Sequence, residues 1–404
     1  VIATTSVFSD EVRKLPLQEI GKRLGVSYVL TGELPHAGPQ LAAEVRLVRT
    51  SDEQVRWSRK YNRSASELLD LNRAIAADLL QELNLRGSVA NGAAPPRNPE
   101  AYYFYVRGQA ALDTFVANSQ RTAKQLFEQA LSIDPNYAQA HAGLARVYLS
   151  GNPQIAGLPA HEALERASEA AGRAMNIDPS LPDAYVAAAV VKSARSDWDG
   201  AEADYRHAIA IAPNNVLALQ EYAHWLSLHA RFEEALKHAE AAESLDPLSP
   251  RAIVARASVL RFARRYDEAL AETLKALDIN PVYPAAQANA GPCYEGLGRM
   301  NEAIEAFQRW QSSGNLAHAY GRSGRVREAR ALIALFEERY AREGVSAGDA
   351  AQGYIGLGEL NRAFEWLERM DHRWPTTLKV AAVWDPLRSD PRFKRLLQQR
   401  GLDR

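Results

Sequence analysis

Cysteine is the scarcest chemical resource in this 404-residue chain: Cys293 stands alone. That excludes an internal disulfide framework and any site built from several thiolates. A lone thiol fits both a reducing and an oxidising compartment. Net charge is also nearly absent, with 48 Lys and Arg against 49 Asp and Glu. No global field therefore draws the chain to nucleic acid or to an acidic membrane. Long apolar runs are missing as well. The longest, Ala184 to Val191, falls far short of the about 18 residues a membrane span needs. A start on Val1-Ile2-Ala3, without methionine or signal-peptide pattern, is read as the start of a fragment.

What the chain has in abundance is repetition. Ala167, Ala201, Ala235, Ala269 and Ala303 recur every 34 residues, and Pro179, Pro213, Pro247 and Pro281 keep the same interval. One unit explains the spacing. Pro250 opens a helix, where its missing N–H costs nothing. Ile253, Ala257 and Leu260 form one apolar stripe. Tyr266 opens a second helix with the stripe Ala269, Leu270, Thr273 and Ala276. Asp278-Ile279-Asn280-Pro281 ends it, because proline cannot continue a helix. Such a pair cannot bury both faces alone, so neighbours must stack. A period of about 34 is that of tetratricopeptide (TPR) helix pairs, which these markers resemble. The expected fold is mainly α: a right-handed TPR α-α superhelix of about seven repeats, behind a small truncated α/β domain carrying an antiparallel sheet. Ala123 to Ala167 spans 44 residues, which places an insertion around Gly151 to Pro159. Ala303 to Ala329 spans only 26, so the sixth repeat lacks about two helical turns.

Residues 1–86 are different material. Val1 to Phe8 is strand-like, and Leu17 to Leu24 has helical spacing before Gly25, a good C-cap. Three alternating runs follow: Val26, Tyr28, Leu30 and Leu34; then Leu41, Ala43, Val45 and Leu47 after a turn at Gly38-Pro39; then Val55, Trp57 and Tyr61 after Ser51-Asp52-Glu53. Alternation with turn residues between predicts an antiparallel meander with one covered face. Its cover is a helix over 66–83 with the stripe Leu68, Leu69, Ile75, Leu79 and Leu83. Residues 87–99, rich in Gly, Pro and Ala, read as a linker to a solenoid over 100–404.

Ile20-Gly21-Lys22-Arg23-Leu24-Gly25-Val26-Ser27-Tyr28-Val29-Leu30-Thr31-Gly32, Val45-Arg46-Leu47-Val48, Arg56-Trp57-Ser58, Tyr61-Asn62-Arg63 and Leu71 to Ala76 resemble the TolB-like amino-terminal domain found before bacterial TPR arrays. The pattern lacks its first strand and helix here. Trp384-Asp385-Pro386-Leu387-Arg388-Ser389-Asp390-Pro391-Arg392-Phe393 and Leu245-Asp246-Pro247-Leu248-Ser249-Pro250 resemble the later parts of the same proteins. The resemblance implies a module that follows a transmembrane helix and a cytoplasmic output domain: a winged helix, a class III adenylate cyclase or a Ser/Thr kinase. An extracytoplasmic, periplasmic location goes with that arrangement, a cytoplasmic one with its absence.

Candidate chemistry is sparse. His161-Glu162 lacks the second histidine of a zinc helix, and His224 and His229 are five apart, the wrong spacing for one face. Gly353, Gly356 and Gly358 follow no strand, and Gly358 matches the turn positions of Gly324 and Gly298. Cys293 reads as a buried thiol. Arg46, Arg49, Arg56, Arg59, Lys60 and Arg63 read as a solvated sheet face broken by Glu44, Asp52 and Glu53, so direct nucleic-acid binding is not expected. Neither a metal nor a cofactor nor catalysis is expected.

The resemblance to TPR proteins places positions 2, 5, 6 and 9 of each first helix on the ligand-facing surface. That gives a candidate partner-binding groove of Gln220, Glu221, His224, Arg251 and Asn289, beside Asp183, Leu217 and Ser258. TPR proteins that clamp acidic tails carry Lys, Arg and Asn there; only Arg251 and Asn289 fit, which disfavours that ligand class. The expected role is a non-catalytic scaffold for a protein or peptide, the sensory or regulatory module of a bacterial signalling protein. The alternative is the regulatory tail of a larger cyclase or kinase. Pro292 predicts a kink or break in its helix, since an interior proline costs about 3 kcal/mol.

Overall fold

The computed structural model describes residues 15–33, 36–37, 40–64, 68–83, 98–113, 117–149, 158–310, 313–343, 347–370 and 376–403. The expected strand over Val1 to Phe8, most of the 87–99 linker and most of the 151–159 insertion lie outside them. The chain divides into two compact units, Ile2–Lys192 with Asp199–Pro213, and Ser193–Trp198 with Asn214–Arg404.

The first unit begins with helix α1 (Leu17–Leu24), closed by Gly25 in the left-handed conformation at φ 61°. Strands β1 (Tyr28–Glu33), β3 (Gln40–Arg49) and β4 (Val55–Ser64) follow, with the two-residue β2 (His36–Ala37) between the first two. β3 is central and pairs antiparallel with β1 and β4. Helix α2 (Leu68–Glu82) covers Ala43, Val45, Trp57 and Tyr61 with Leu71, Ala74 and Ile75. Leu71 is its most buried anchor and is absent from the expected stripe; Leu68 and Leu69 lie outside the described side chains. Tyr61 donates to Asp78 at 2.6 Å, and burial followed by that carboxylate pushes the phenol up to about 12.

Two sheet expectations need correcting. Alternation puts Val55 on the covered face with Trp57, yet Val55 is 53% exposed. A bulge between Leu47 and Val48 sets Trp57 against Leu47 but Val55 against Val48, which turns Val55 to the other face. Leu30 sits opposite Leu47 and is still 41% exposed, because the α2 contacts lie over β3 and β4.

The remaining helices come in antiparallel pairs. In the first unit these are α3 (Pro99–Asp113) with α4 (Ala117–Ile133), α5 (Ala138–Tyr148) with α6 (Ala160–Ile177), and α7 (Pro182–Ala194) with α8 (Trp198–Ile211), of which Ser193, Ala194 and Trp198 count with the second unit. The second unit holds α9 (Val216–Leu228) with α10 (Phe232–Leu245), α11 (Pro250–Phe262) with α12 (Tyr266–Ile279), α13 (Pro284–Gly296) with α14 (Met300–Trp310), α15 (Ser313–Arg322) with α16 (Val326–Glu343), and α17 (Ala347–Gly356) with α18 (Leu360–Glu368). Two 3-10 turns (Thr376–Lys379 and Ala382–Leu387) and α19 (Pro391–Gln399) end the chain. This is the paired-helix architecture of TPR arrays, with eight pairs among the described residues rather than about seven. The short interval is shared: α14 has 11 residues and α15 has 10, against 14 in α12 and 13 in α13.

Small residues let the backbones close up. Ala123, Ala167, Ala201, Ala235, Ala269, Ala303, Ala329 and Ala363 are all fully buried. Side-chain polar bonds then tie neighbouring pairs: Arg256 on α11 reaches Glu243 of α10 at 3.3 Å and Glu272 of α12 at 2.8 Å. The expected break at Pro292 does not occur, and α13 runs through it as one helix. Gly291 supplies the reason. The residue before a proline is restricted through its Cβ, which glycine lacks, and a Cβ there would also strike the Phe307 ring of α14.

The turn inside each pair keeps its own beat. Ser196, Ala230, Arg264 and Gly298 stand 34 apart, as do Gly324 and Gly358, and all six have positive φ between 61° and 78°. A side chain in that conformation costs roughly 1–2 kcal/mol, partly offset by the entropy glycine loses on folding. Ala230→Gly should therefore raise stability by about 0.5–1 kcal/mol. Urea unfolding that shows a loss instead would remove backbone strain as the reason for this beat.

Candidate functional site

In the second unit polar side-chain contacts link the first helices α9, α11, α13 and α15 in turn. Arg251 Nη2 of α11 meets Glu221 Oε1 of α9 at 2.6 Å. Arg261 Nε of α11 donates to Asn289 Oδ1 of α13 at 2.5 Å. His318 Nδ1 of α15 lies 3.0 Å from Glu295 Oε1 of α13, off the line of an aligned hydrogen bond. These contacts join different repeat positions, 30, 28 and 23 residues apart in sequence.

The five groove residues divide. Glu221, His224 and Arg251 form an accessible trio: the ion pair is partly exposed and His224 reaches solvent. Enough protein still crowds the His224 imidazole that desolvation holds its pKa below the ordinary value, against a smaller upward pull from Glu221. Gln220 is 5% exposed, and its Nε2 has no hydrogen-bond partner among the described residues. Asn289 is 3% exposed and does not face a ligand. Its Nδ2 donates to Thr273 Oγ1 of α12 at 2.7 Å, while Oδ1 takes Arg261, so it stitches three helices together. Repeat position alone located Asn289, and the helix packing buries that position here.

The tail adds what the repeat positions could not show. Val380 and Ala381 pack with Leu228 of α9 and Phe262 of α11. Arg264, one of the positive-φ turn residues, bonds Asp385 at 2.8 Å and the Tyr266 hydroxyl at 3.0 Å. Trp384 and Leu387 join the apolar core of α16 to α19. Between the returning segment and the helices α11, α13, α15 and α17 lies a cavity of 610 Å³. Trp384-Asp385-Pro386 stands out in the sequence only by resemblance, which gives it no place in the fold. The available signal was Arg264, a charged residue on the beat where Gly298, Gly324 and Gly358 stand.

Cys293 is fully buried, as expected, within 4.0 Å of Asn289 Nδ2, and burial pushes its thiol up to about 11. Among the described residues no group of three or more His, Cys, Asp or Glu is placed to hold a metal. Among them, too, no helix is long and apolar enough to cross a membrane.

Known proteins share parts of this arrangement. No protein-family model matches the chain. A Rhizobium meliloti (strain 1021) protein provisionally named adenylate cyclase 3 is 27% identical over 208 residues, which is 50% of this chain and 35% of that protein. The chain thus spans about a third of its relative's length. Among solved structures, a human IFIT1 dimer with m7Gppp-AAAA is 15% identical with a TM-score of 0.48, covering 75% of this chain and 77% of that one. PilF of Pseudomonas aeruginosa is 21% identical with a TM-score of 0.41, covering 56% and 97%. A thermophilic TPR protein of Thermus thermophilus is 19% identical with a TM-score of 0.39, covering 48% and 98%. At these values the architecture rests on the chain's own spacing and pairing.

A thiolate is the reactive form of cysteine. At pH 8 the native Cys293 should react with iodoacetamide at least ~100-fold more slowly than in urea, given its raised pKa and burial. Equal rates would mean the α13 interior is open.

Proposed function

We propose that this chain is a non-catalytic scaffold for a protein or peptide, serving as the sensory or regulatory region of a bacterial signalling protein. The observation that carries the reading is the accessible Glu221–Arg251 pair with His224 beside it, on a face built by packed first helices. Charges held by rigid helices can orient a polar partner loop at little entropic cost. The sheet of β1, β3 and β4 under α2 supports a TolB-like reading of the amino-terminal residues. The partner is read as protein rather than nucleic acid, because arginines on this face are engaged by carboxylate and amide groups of neighbouring helices.

A second reading differs only in what is regulated. The match to the Rhizobium meliloti protein favours a regulatory tail of an adenylate cyclase over a winged-helix regulator. Both readings give this chain the same work, to engage a partner and bias a separate output domain.

The test is affinity capture from bacterial extract with the wild-type chain and with a Gln220→Ala, Glu221→Ala, Arg251→Ala variant of unchanged circular dichroism. Proteins identified by mass spectrometry with wild type should fall at least ~10-fold with the variant, the loss expected of a disrupted polar anchor. An unchanged set of captured proteins would contradict the groove.

A further inference from the structure

The cavity between the first helices and residues 376–387 is of small-molecule size, within the roughly 300–1,000 Å³ that ligand pockets occupy. Its charges are not balanced. Arg261, Arg264 and Arg322 line it against Glu295 and Asp385, three cations to two anions. Arg264 is engaged by Asp385 and the Tyr266 hydroxyl. Arg322 is mostly exposed and approaches Glu295 at 3.9 Å. Arg261 is different. Its contacts are the Asn289 amide and the Phe262 ring, 4.1 Å from the guanidinium carbon, and among the described residues no carboxylate pairs with it.

Two further groups are left unmet in the same walls, besides Glu295 Oε1 and His318 Nδ1, which face each other at 3.0 Å without an aligned hydrogen bond. Trp384 is 3% exposed, and its indole N–H has no acceptor among the described residues. Gln352 buries its Oε1 without a donor among the described residues. An unpaired buried polar group costs about 1–3 kcal/mol, so a cavity whose walls hold the unmet Trp384 N–H and Gln352 Oε1 beside an Arg261 without a carboxylate is incomplete as it stands. Desolvation depresses even the Arg261 guanidinium, in line with a charge lacking its counterpart.

We propose that this cavity binds a small carboxylic acid with an apolar body, its carboxylate meeting the Arg261 guanidinium and the Trp384 N–H. One unpaired cation matches one negative charge. A dianionic phosphate would face Glu295 and Asp385 with too few free cations to offset them. Phe262, Tyr266, Pro292 and Val383 supply apolar wall for the rest of the molecule, and Gln352 can accept from a donor on it. Because Trp384 belongs to the returning segment, the ligand would tie that segment to α11. The site lies apart from the Glu221–Arg251 pair, and the inference does not rest on the partner-binding reading.

Isothermal titration of the chain with 4-phenylbutyrate and indole-3-butyrate tests it, with their neutral amides as controls. The acids should bind saturably with Kd below about 1 mM, and the amides at least ~10-fold more weakly. R261M and W384F should each weaken the acids by a similar factor, while Glu338→Gln on the far exposed part of α16 should not. R261M removes an unpaired charge and should keep its circular dichroism; the acid–amide comparison on wild type stands without either variant. Acetyl-Ala-Ala-Phe with a free or an amidated end distinguishes the source: binding of the free form alone, ahead of the small acids, assigns the carboxylate to a polypeptide terminus. No saturable binding by either acid or the free peptide below that limit, equal binding of acids and amides, or undiminished binding by R261M would overturn the proposal.

Discussion

Everything in the array depends on how closely helix backbones can approach. A fully buried alanine at one position of every second helix, with partners such as Ala257 and Ala290 on first helices, removes the side-chain bulk that would hold neighbours apart. Close approach then does two things. It buries the apolar stripes that one pair could not cover alone. It also brings first helices near enough for a side chain on one to bond a side chain on the next, as Arg251 does with Glu221.

The same closeness decides which polar residues face outward. Asn289 and Glu221 sit at equivalent positions of first helices two repeats apart, yet one is stitched into the interior and the other is accessible. The difference comes from neighbours. Thr273 of α12 offers Asn289 a buried hydroxyl, and Arg261 offers it a donor. The tail extends the logic: its own apolar residues compete for the ends of the first helices, and the imperfect fit leaves the cavity beneath Trp384.

Much of the fold was legible because a 34-residue period is a local signal repeated many times. Pro250, Tyr266 and Pro281 mark helix ends that the structure reproduces. Where the account of the residues fell short, the deciding contact was distant in sequence. The bulge that turns Val55 outward is a property of strand pairing, and the unbroken helix through Pro292 depends on Gly291 having no Cβ. In the site, the Glu221–Arg251 neighbourhood followed from repeat position. The Arg264–Asp385 bond, 121 residues apart, had no periodicity to reveal it.

The central claim, that small residues set helix spacing and thereby the site, is tested most directly by enlarging one of them. Ala269→Leu in α12 should cost about 1–3 kcal/mol in urea unfolding, because overpacking forces backbones apart. It should also abolish the energetic coupling between Glu221 and Arg251 in a double-mutant cycle on the enlarged background. Stability within about 0.5 kcal/mol of wild type, with that coupling intact, would contradict the account.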